Sequence, residues 1–193
     1  MEIPPRDPSL FARELLLNVD KLAEGGEIER VRGDGTLWTH AVKHWLELKG
    51  KNLGFRSIYT DRAGMSEFML DFVWWEDKSD QSPGRARLAC EMEWGNRRDP
   101  KHNVARVAED FDKLLSFKAL FKLMLFDSYD VEKIQTDVIA ELDRYLQEFG
   151  DHRSDELYLV IDVAAKRHSA WECRISEDGP NSLLRFKPLL LTS

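Results

Sequence analysis

The run LFKLMLF at residues 120–126 contains one charged side chain among six apolar ones, and it lies between two segments with helical periodicity. A strand with one solvent-facing side alternates apolar and polar residues, whereas a nearly continuous apolar run is typical of a strand buried on both faces. Such a strand needs cover on both sides of its sheet. The run therefore predicts an α/β protein whose sheet is flanked by helices.

Changes in hydrophobic periodicity divide the rest of the chain into helices and strands. Ser9 is expected to cap the first helix, and Gly25 with Gly26 to end it. Short connections favour antiparallel pairing of the second and third strands and a hairpin for the last two, so the sheet is expected to be mixed. The predicted order is helix 9–24, helix 36–50, strands 55–60, 67–75 and 86–94, a helix from Asn103, strand 120–126, helix 130–149, and strands 156–165 and 169–176.

Length and composition indicate one soluble domain. The chain has 193 residues, enough for one sizeable core, and we interpret residues 1–193 as a single domain. No window approaches the roughly 18 apolar residues of a membrane-spanning helix, and no secretory signal is visible, so the cytoplasm is the expected compartment. Cys90 and Cys173 lie in strand-like runs and are expected to be buried thiols, neither a disulfide framework nor a zinc cluster.

The distribution of charge is more informative than its sum. A net charge of -7 argues against a protein that coats nucleic acid nonspecifically, because such binding depends on Lys and Arg that neutralise phosphates. Residues 85–122, however, hold nine Lys or Arg against six Asp or Glu. The basic surplus therefore lies around an unusual group of carboxylates.

Three carboxylates fall within the second and third predicted strands: Asp71 in FMLDFVWW, and Glu91 and Glu93 in RLACEMEW. Side chains alternate along a strand, so Glu91 and Glu93 share one face at about 6.6 Å, and the neighbouring strand lies about 4.8 Å away. Carboxylates that converge in this way repel each other unless they bind a proton or a cation. Oxygen ligands suit Mg²⁺ or Mn²⁺, so these residues predict a metal site.

An acid on one strand, an E-x-E about twenty residues later on the next, and then a helix and a buried strand resemble the PD-(D/E)XK nuclease superfamily. The similarity covers about residues 36–126, with helix 9–24 and residues 127–193 as extensions. It implies a restriction endonuclease-like core of helix, three strands, helix and strand. It also implies Mg²⁺ or Mn²⁺ held by Asp71, Glu91 and the main-chain carbonyl of Met92, and hydrolysis of phosphodiester bonds by a metal-activated water.

One residue departs from the pattern of the superfamily. Glu93 stands where most members have the lysine that positions or activates the attacking water, although some restriction endonucleases carry Glu there. Lys113 on the following helix is our candidate for a relocated lysine, while Glu93 either orients the water or holds a second metal. Glu47 on the second helix is a candidate extra acid, because that helix supplies one in part of the superfamily.

Basic residues follow the acidic strand directly and open the next helix, whose N-terminus also favours anions. We expect them to bind backbone phosphates beside the scissile one, with a solvated charged loop as the alternative. The residues are Arg97, Arg98, Lys101, His102 and Arg106. Trp74, Trp75 and Trp94 are placed in the core rather than in a base-stacking surface, because they lie in strands.

The predicted function is a Mg²⁺-dependent nuclease, with DNA favoured over RNA as the partner. A second copy of the chain is a further candidate partner, since cutting both strands of a duplex calls for two sites. A targeting protein is another, since no recognition module is visible; no membrane partner is expected.

Two alternatives remain open. One is a nuclease-like domain that binds or assembles without catalysis, as the missing motif lysine and the acidic net charge both favour. The other is a metal-dependent hydrolase centred on His40 and His44, which lie four residues apart on a predicted helix.

Overall fold

A computed structural model of the chain describes residues 5–22, 35–59, 70–77, 84–95, 99–164, 168–176 and 184–191. Within these ranges the chain is α/β, with a mixed sheet flanked by helices as predicted. The elements are α1 (Pro8–Leu22), α2 (Gly35–Asn52), β1 (Arg56–Tyr59), β2 (Phe72–Glu76), β3 (Arg85–Glu93), α3 (Pro100–Ser116), β4 (Phe121–Phe126), α4 (Glu132–Glu148), β5 (Leu157–Asp162), β6 (Ser169–Arg174) and β7 (Lys187–Leu189).

The described strands form one sheet of seven, and they lie side by side in the order in which they occur along the chain. β1, β2 and β3 pair antiparallel, β3, β4 and β5 pair parallel, and β5, β6 and β7 are again antiparallel. The helices α3 and α4 make the two parallel crossovers. The expected antiparallel pairing of β2 with β3 and the β5–β6 hairpin are therefore confirmed.

Helices cover both faces of the sheet and create two apolar cores. α1 and α2 pack on one face, and α3 and α4 pack on the other. Every residue of β4 is buried, as the apolar run predicted. Trp74 is fully buried and donates its indole N–H to the main-chain carbonyl of Leu46 at 2.8 Å. A Cβ at Gly50 would lie 2.3 Å from that indole nitrogen, so only glycine lets α2 approach the sheet this closely.

Helices α1 and α3 begin at residues other than those predicted. α1 begins at Pro8, and the N–H of Leu10 donates to Oδ1 of Asp7 at 3.0 Å, so the cap is Asp7 and the expected cap at Ser9 is wrong. α3 begins at Pro100 rather than at Asn103. Proline suits the first turn of a helix because the N–H that it lacks would have no helical partner there. The predicted stop at Gly25 and Gly26 lies outside the described residues.

The strands differ from the prediction at two places. β2 begins at Phe72, so the placement of Asp71 in the middle of a strand is wrong; it lies in a bend directly before β2. β7 was not predicted, because it has three residues, of which two are exposed. Its alternation is too short to be recognised in the sequence.

The one charged residue of β4, Lys122, lies in a buried polar network near the start of the strand. Its Nζ donates to Glu156 at 3.1 Å, to the Tyr158 hydroxyl at 3.0 Å and to the carbonyl of Leu115 at 3.2 Å. Lys122 and Glu156 are 1% and 2% exposed. Burial lowers the pKa of Lys122. A charge in a strand covered on both faces is tolerated because a carboxylate and two neutral acceptors surround it.

Cys90 and Cys173 are free and buried, which confirms their prediction as unpaired thiols. Burial raises the pKa of the Cys90 thiol well above its usual range, so the reactive thiolate is disfavoured there. Among the described helices, none is both long and apolar enough to cross a membrane.

Candidate functional site

Asp71 meets β3 at the point where β2 has ended. Its Oδ2 accepts the main-chain N–H of Met92 at 2.9 Å. The Asp71 side chain therefore supplies a hydrogen bond to β3 just before the first backbone pair of β2 with β3, Phe72 with Cys90. In a hydrogen-bonded pair of an antiparallel ladder, a residue directs its N–H and its C=O toward the same neighbour. By this geometry the main-chain N–H and C=O of Met92 lie on the β2 side of β3.

Glu91 and Glu93 point to the same face of the sheet, toward α3, as their spacing predicted. Lys113 Nζ of α3 lies 3.7 Å from Oε1 of Glu91, and Arg106 of α3 contacts Glu93. Met92, between them, packs in the core beneath α1 and α2. Glu91 is 3% exposed, and its Oε1 is buried without a hydrogen-bond partner among the described residues. The nearest cation to this atom, Lys113 Nζ, is thus beyond hydrogen-bonding distance.

The electrostatics of Glu91 follow from this environment. Burial raises the pKa of Glu91 to about 9, and the neighbouring charge of Asp71 adds to the effect, while Lys113 opposes it. Its carboxyl group is therefore protonated at neutral pH unless a cation replaces the proton. The charge of Lys113 offsets only part of the effect of burial and of the neighbouring Asp71 carboxylate on Glu91.

Glu93 has its own partners at the end of β3. Oε1 accepts the N–H of Gly95 at 2.6 Å, and Oε2 lies 3.0 Å from the guanidinium of Arg106. Burial raises its pKa, and the hydrogen bond to Gly95 and the charge of Arg106 counteract that rise. The Tyr129 hydroxyl donates to the carbonyl of Trp94, so it stabilises the residues that directly follow β3. Glu93 thus helps to shape the end of the strand.

The side of α3 that faces these carboxylates carries a polar stripe. Arg106, Asp110 and Lys113 are spaced four and three residues apart, which places them on one side of a helix. Lys113 Nζ donates to Oδ1 of Asp110 at 2.6 Å. Burial disfavours the charge on Lys113, but this hydrogen bond and the charge of Glu91 outweigh it and raise its pKa. Asp110 was missed, although the spacing of the three residues could have indicated it.

A second cation approaches from the opposite helical layer. Lys43 of α2 is 4% exposed, and its Nζ lies 3.9 Å from Oδ1 of Asp71. Nothing in the sequence singled it out, because its position relative to Asp71 depends on how α2 packs on the sheet. Glu47, one turn later, accepts the Tyr59 hydroxyl at 3.2 Å. The structure thus joins Glu47 to Tyr59, rather than to Asp71 or Glu91.

The donor atoms suit a hard divalent cation. The Asp71 and Glu91 carboxylates and the Met92 carbonyl offer only oxygen atoms, and Oε1 of Glu91 is buried without a hydrogen-bond partner among the described residues. The described residues contain no group of three or more His, Cys, Asp or Glu side chains placed to hold a metal. A cation here would have two carboxylates and one carbonyl as protein ligands, which fits Mg²⁺ because this ion keeps several waters.

The predicted basic residues have different outcomes. Arg97 and Arg98 lie outside the described residues, as does the side chain of Lys101. His102 contacts Asp99 at 2.5 Å. Arg106 contacts Glu93, and its side chain is 55% exposed.

The three tryptophans and the two histidines considered in the sequence lie in different surroundings. Trp74 lies in the core as expected, whereas Trp75 and Trp94 are half-buried. His40 and His44 are both exposed on α2, and within the described ranges no third ligand completes a metal-binding group with them.

Comparisons with known proteins give no relative from which a function could be transferred. The chemistry of the side chains at the junction of β2, β3 and α3 is therefore the basis for inferring function. No protein-family model, curated protein or solved structure matches this chain.

Proposed function

We propose that this protein is a Mg²⁺-dependent phosphodiester hydrolase that acts on nucleic acid, with a restriction endonuclease-like core over about residues 36–126. The observation that carries the proposal is the unsatisfied Oε1 of Glu91, buried beside Asp71 with Lys113 Nζ at 3.7 Å. The order α2, β1, β2, β3, α3, β4 supports it, since this is the order of elements in that core. DNA is the favoured substrate.

Asp71, Glu91 and the Met92 carbonyl would hold the cation. When bound, Mg²⁺ would neutralise the two carboxylates, polarise the phosphate and lower the pKa of a water. Glu91 would have to give up its proton for the cation to bind, so binding would be favoured as pH rises. Manganese has similar ligand preferences and would serve in its place.

The cationic side chains have positions suited to the phosphate. Lys113 Nζ lies 2.6 Å from Asp110 and 3.7 Å from Glu91, and its ammonium group has three N–H donors, so it retains donors for a phosphate oxygen or for the attacking water. Arg106, more than half exposed, would contact the adjacent backbone phosphate while it holds Glu93 in place. In this arrangement Lys113 takes the role of the motif lysine, and Glu93 positions Arg106.

The test uses Asp71→Asn and Glu91→Gln, with Glu109→Gln as a control that removes an exposed carboxylate from α3. Cleavage of single- and double-stranded oligonucleotides is measured with Mg²⁺, with Mn²⁺ and with EDTA. We expect both site variants to lose metal-dependent cleavage while they keep the fold, and the control to retain it. Full activity in either site variant would reject the proposal.

A second candidate is a nuclease-like domain that binds or assembles without catalysis. It is favoured by Glu93, which replaces the motif lysine and already has two partners. A cation that binds the native protein at a hundred times its Kd stabilises it by about 2.7 kcal/mol, which raises Tm by roughly 5–10 °C at this size. No rise in Tm with Mg²⁺ or Mn²⁺ at pH 8 would favour the inactive domain.

A further inference from the structure

A cavity of about 640 Å³ lies at the start of β3, whereas the carboxylates lie at its end. Arg85 and Glu91 are six positions apart, so the two places are about 20 Å apart along the strand. The volume is in the range of sites that enclose small organic ligands. The residues that define its chemistry are Trp75, Arg85, Arg87, Phe117, Lys118 and Arg153.

Two of the cations are held in place by one carboxylate. Arg85 Nε lies 2.7 Å from Oε2 of Glu76, and Arg87 contacts both oxygens of the same residue at 2.9 and 3.0 Å. The hydrogen bonds from Arg87 and Arg85 lower the pKa of Glu76 to about 2. An arginine has five N–H donors, so both guanidinium groups keep donors for a ligand. Two positive charges thus share one negative charge.

The other two cations come from different connections. Lys118 follows α3, and Arg153 precedes β5; both are exposed. Neither forms an ion pair with a carboxylate of the described residues. Together with the arginine pair they leave a surplus of three positive charges at this cavity, in a chain whose net charge is -7. The C-terminal end of α3, equivalent to about half a negative charge, offsets only part of this surplus.

Aromatic side chains supply the apolar part of the cavity. Trp75 is half-buried, and a Cβ at Gly84 would lie 2.2 Å from its indole nitrogen, so glycine lets the backbone pack against the ring. Phe117 contributes a second ring from the end of α3. Flat rings beside guanidinium and ammonium groups suit a ligand that joins a planar base to a phosphate.

We propose that this cavity binds a nucleotide, with its base against Trp75 and Phe117 and its phosphate among Arg87, Lys118 and Arg153. The nucleotide is either free or one unit of a single strand, and both sources offer the same base and phosphate. The site is distinct from the carboxylates at the end of β3 and needs no metal. Nucleotide binding at this cavity therefore does not depend on whether the protein is a hydrolase.

The test is calorimetric titration in EDTA, which keeps the outcome independent of the metal site. The probes are deoxyadenosine monophosphate, deoxyadenosine, inorganic phosphate and a short oligodeoxyadenylate. We expect the monophosphate to bind at least about tenfold more tightly than the nucleoside or phosphate alone, because each lacks half of the contacts. Tighter binding of the oligonucleotide than of the monophosphate identifies a strand as the source, and equal binding identifies the free nucleotide.

The double variant Lys118→Ala with Arg153→Ala is expected to weaken monophosphate binding by at least about tenfold, since two charged hydrogen bonds are lost. Both side chains are exposed, so the fold is expected to persist, and urea midpoints verify this. The matched control is Lys51→Ala with Lys133→Ala, which removes two exposed cations elsewhere and should bind normally. The proposal is overturned by equal affinity in the two double variants, by phosphate alone binding as tightly as the monophosphate, or by no saturable binding at millimolar concentration.

Discussion

Replacing Glu91 with glutamine is expected to stabilise the metal-free protein by an amount that grows with pH. Burial raises the pKa of Glu91 from 4.5 to about 9. Because the folded-state pKa is the higher one, the folded protein holds this proton more tightly than the unfolded chain. The stability that the protonated group contributes is fully present below pH 4.5 and is lost as pH rises toward 9.

The size of the effect follows from the same shift. Between the two pKa values, each pH unit lowers the free energy of unfolding by about 1.4 kcal/mol. From pH 5 to pH 8 the wild-type protein should therefore lose about 4 kcal/mol through this one group. Glutamine has the same shape and no proton to lose, so Glu91→Gln is spared this loss. The two proteins should differ little at pH 5 and most at pH 8.

Urea unfolding followed by tryptophan fluorescence, at several pH values between 5 and 8 in EDTA, measures this difference. Other titrating groups are common to both proteins, so the difference between their free energies of unfolding isolates Glu91. Glu109→Gln, an exposed neighbour on α3, should show no such slope. If the curves for wild type and Glu91→Gln run parallel across the pH range, Glu91 is ionised in the folded protein and the reasoning about its environment is refuted.

Two further predictions concern stability. Lys122→Met leaves the Glu156 carboxylate buried without its cation and should cost about 3–5 kcal/mol in urea unfolding. Adding Glu156→Gln should restore much of that loss, and a double variant as unstable as the single one would contradict the ion-pair explanation. Asp7→Ala removes the cap of α1 and should cost about 1 kcal/mol, measured by thermal unfolding. Ser9→Ala should change stability by less than about 0.5 kcal/mol, and equal effects of the two substitutions would argue against Asp7 as the cap.

The apolar and alternating patterns predicted most of the fold. β4 was recognisable because burial on both faces leaves a nearly continuous apolar run. Glu91 and Glu93 could be placed on one face because side chains alternate along a strand, whatever the position of that strand in the sheet. Such features depend on residues within one element. They are therefore accessible from the sequence alone.

Features that depend on two elements were harder to predict. Asp71 reads as part of an apolar strand, but its carboxylate accepts the N–H of Met92, and the ladder of β2 begins only at the next residue. Lys43 lies close to Asp71 because of the orientation in which α2 packs on the sheet. The spacing of residues within α2 does not determine that orientation. Asp110 was accessible through its spacing from Arg106 and Lys113, but the spacing does not tell which strand the stripe faces.

The order of the sheet has a consequence for how the protein is made. Every described strand pairs with the strand that follows it along the chain, so no pairing has to wait for a segment synthesised much later. The longest connection between paired described strands is the crossover through α4, and loop closure costs rise only slowly with length. A growing chain can therefore extend the sheet from one edge, strand after strand, while the ribosome is still supplying residues.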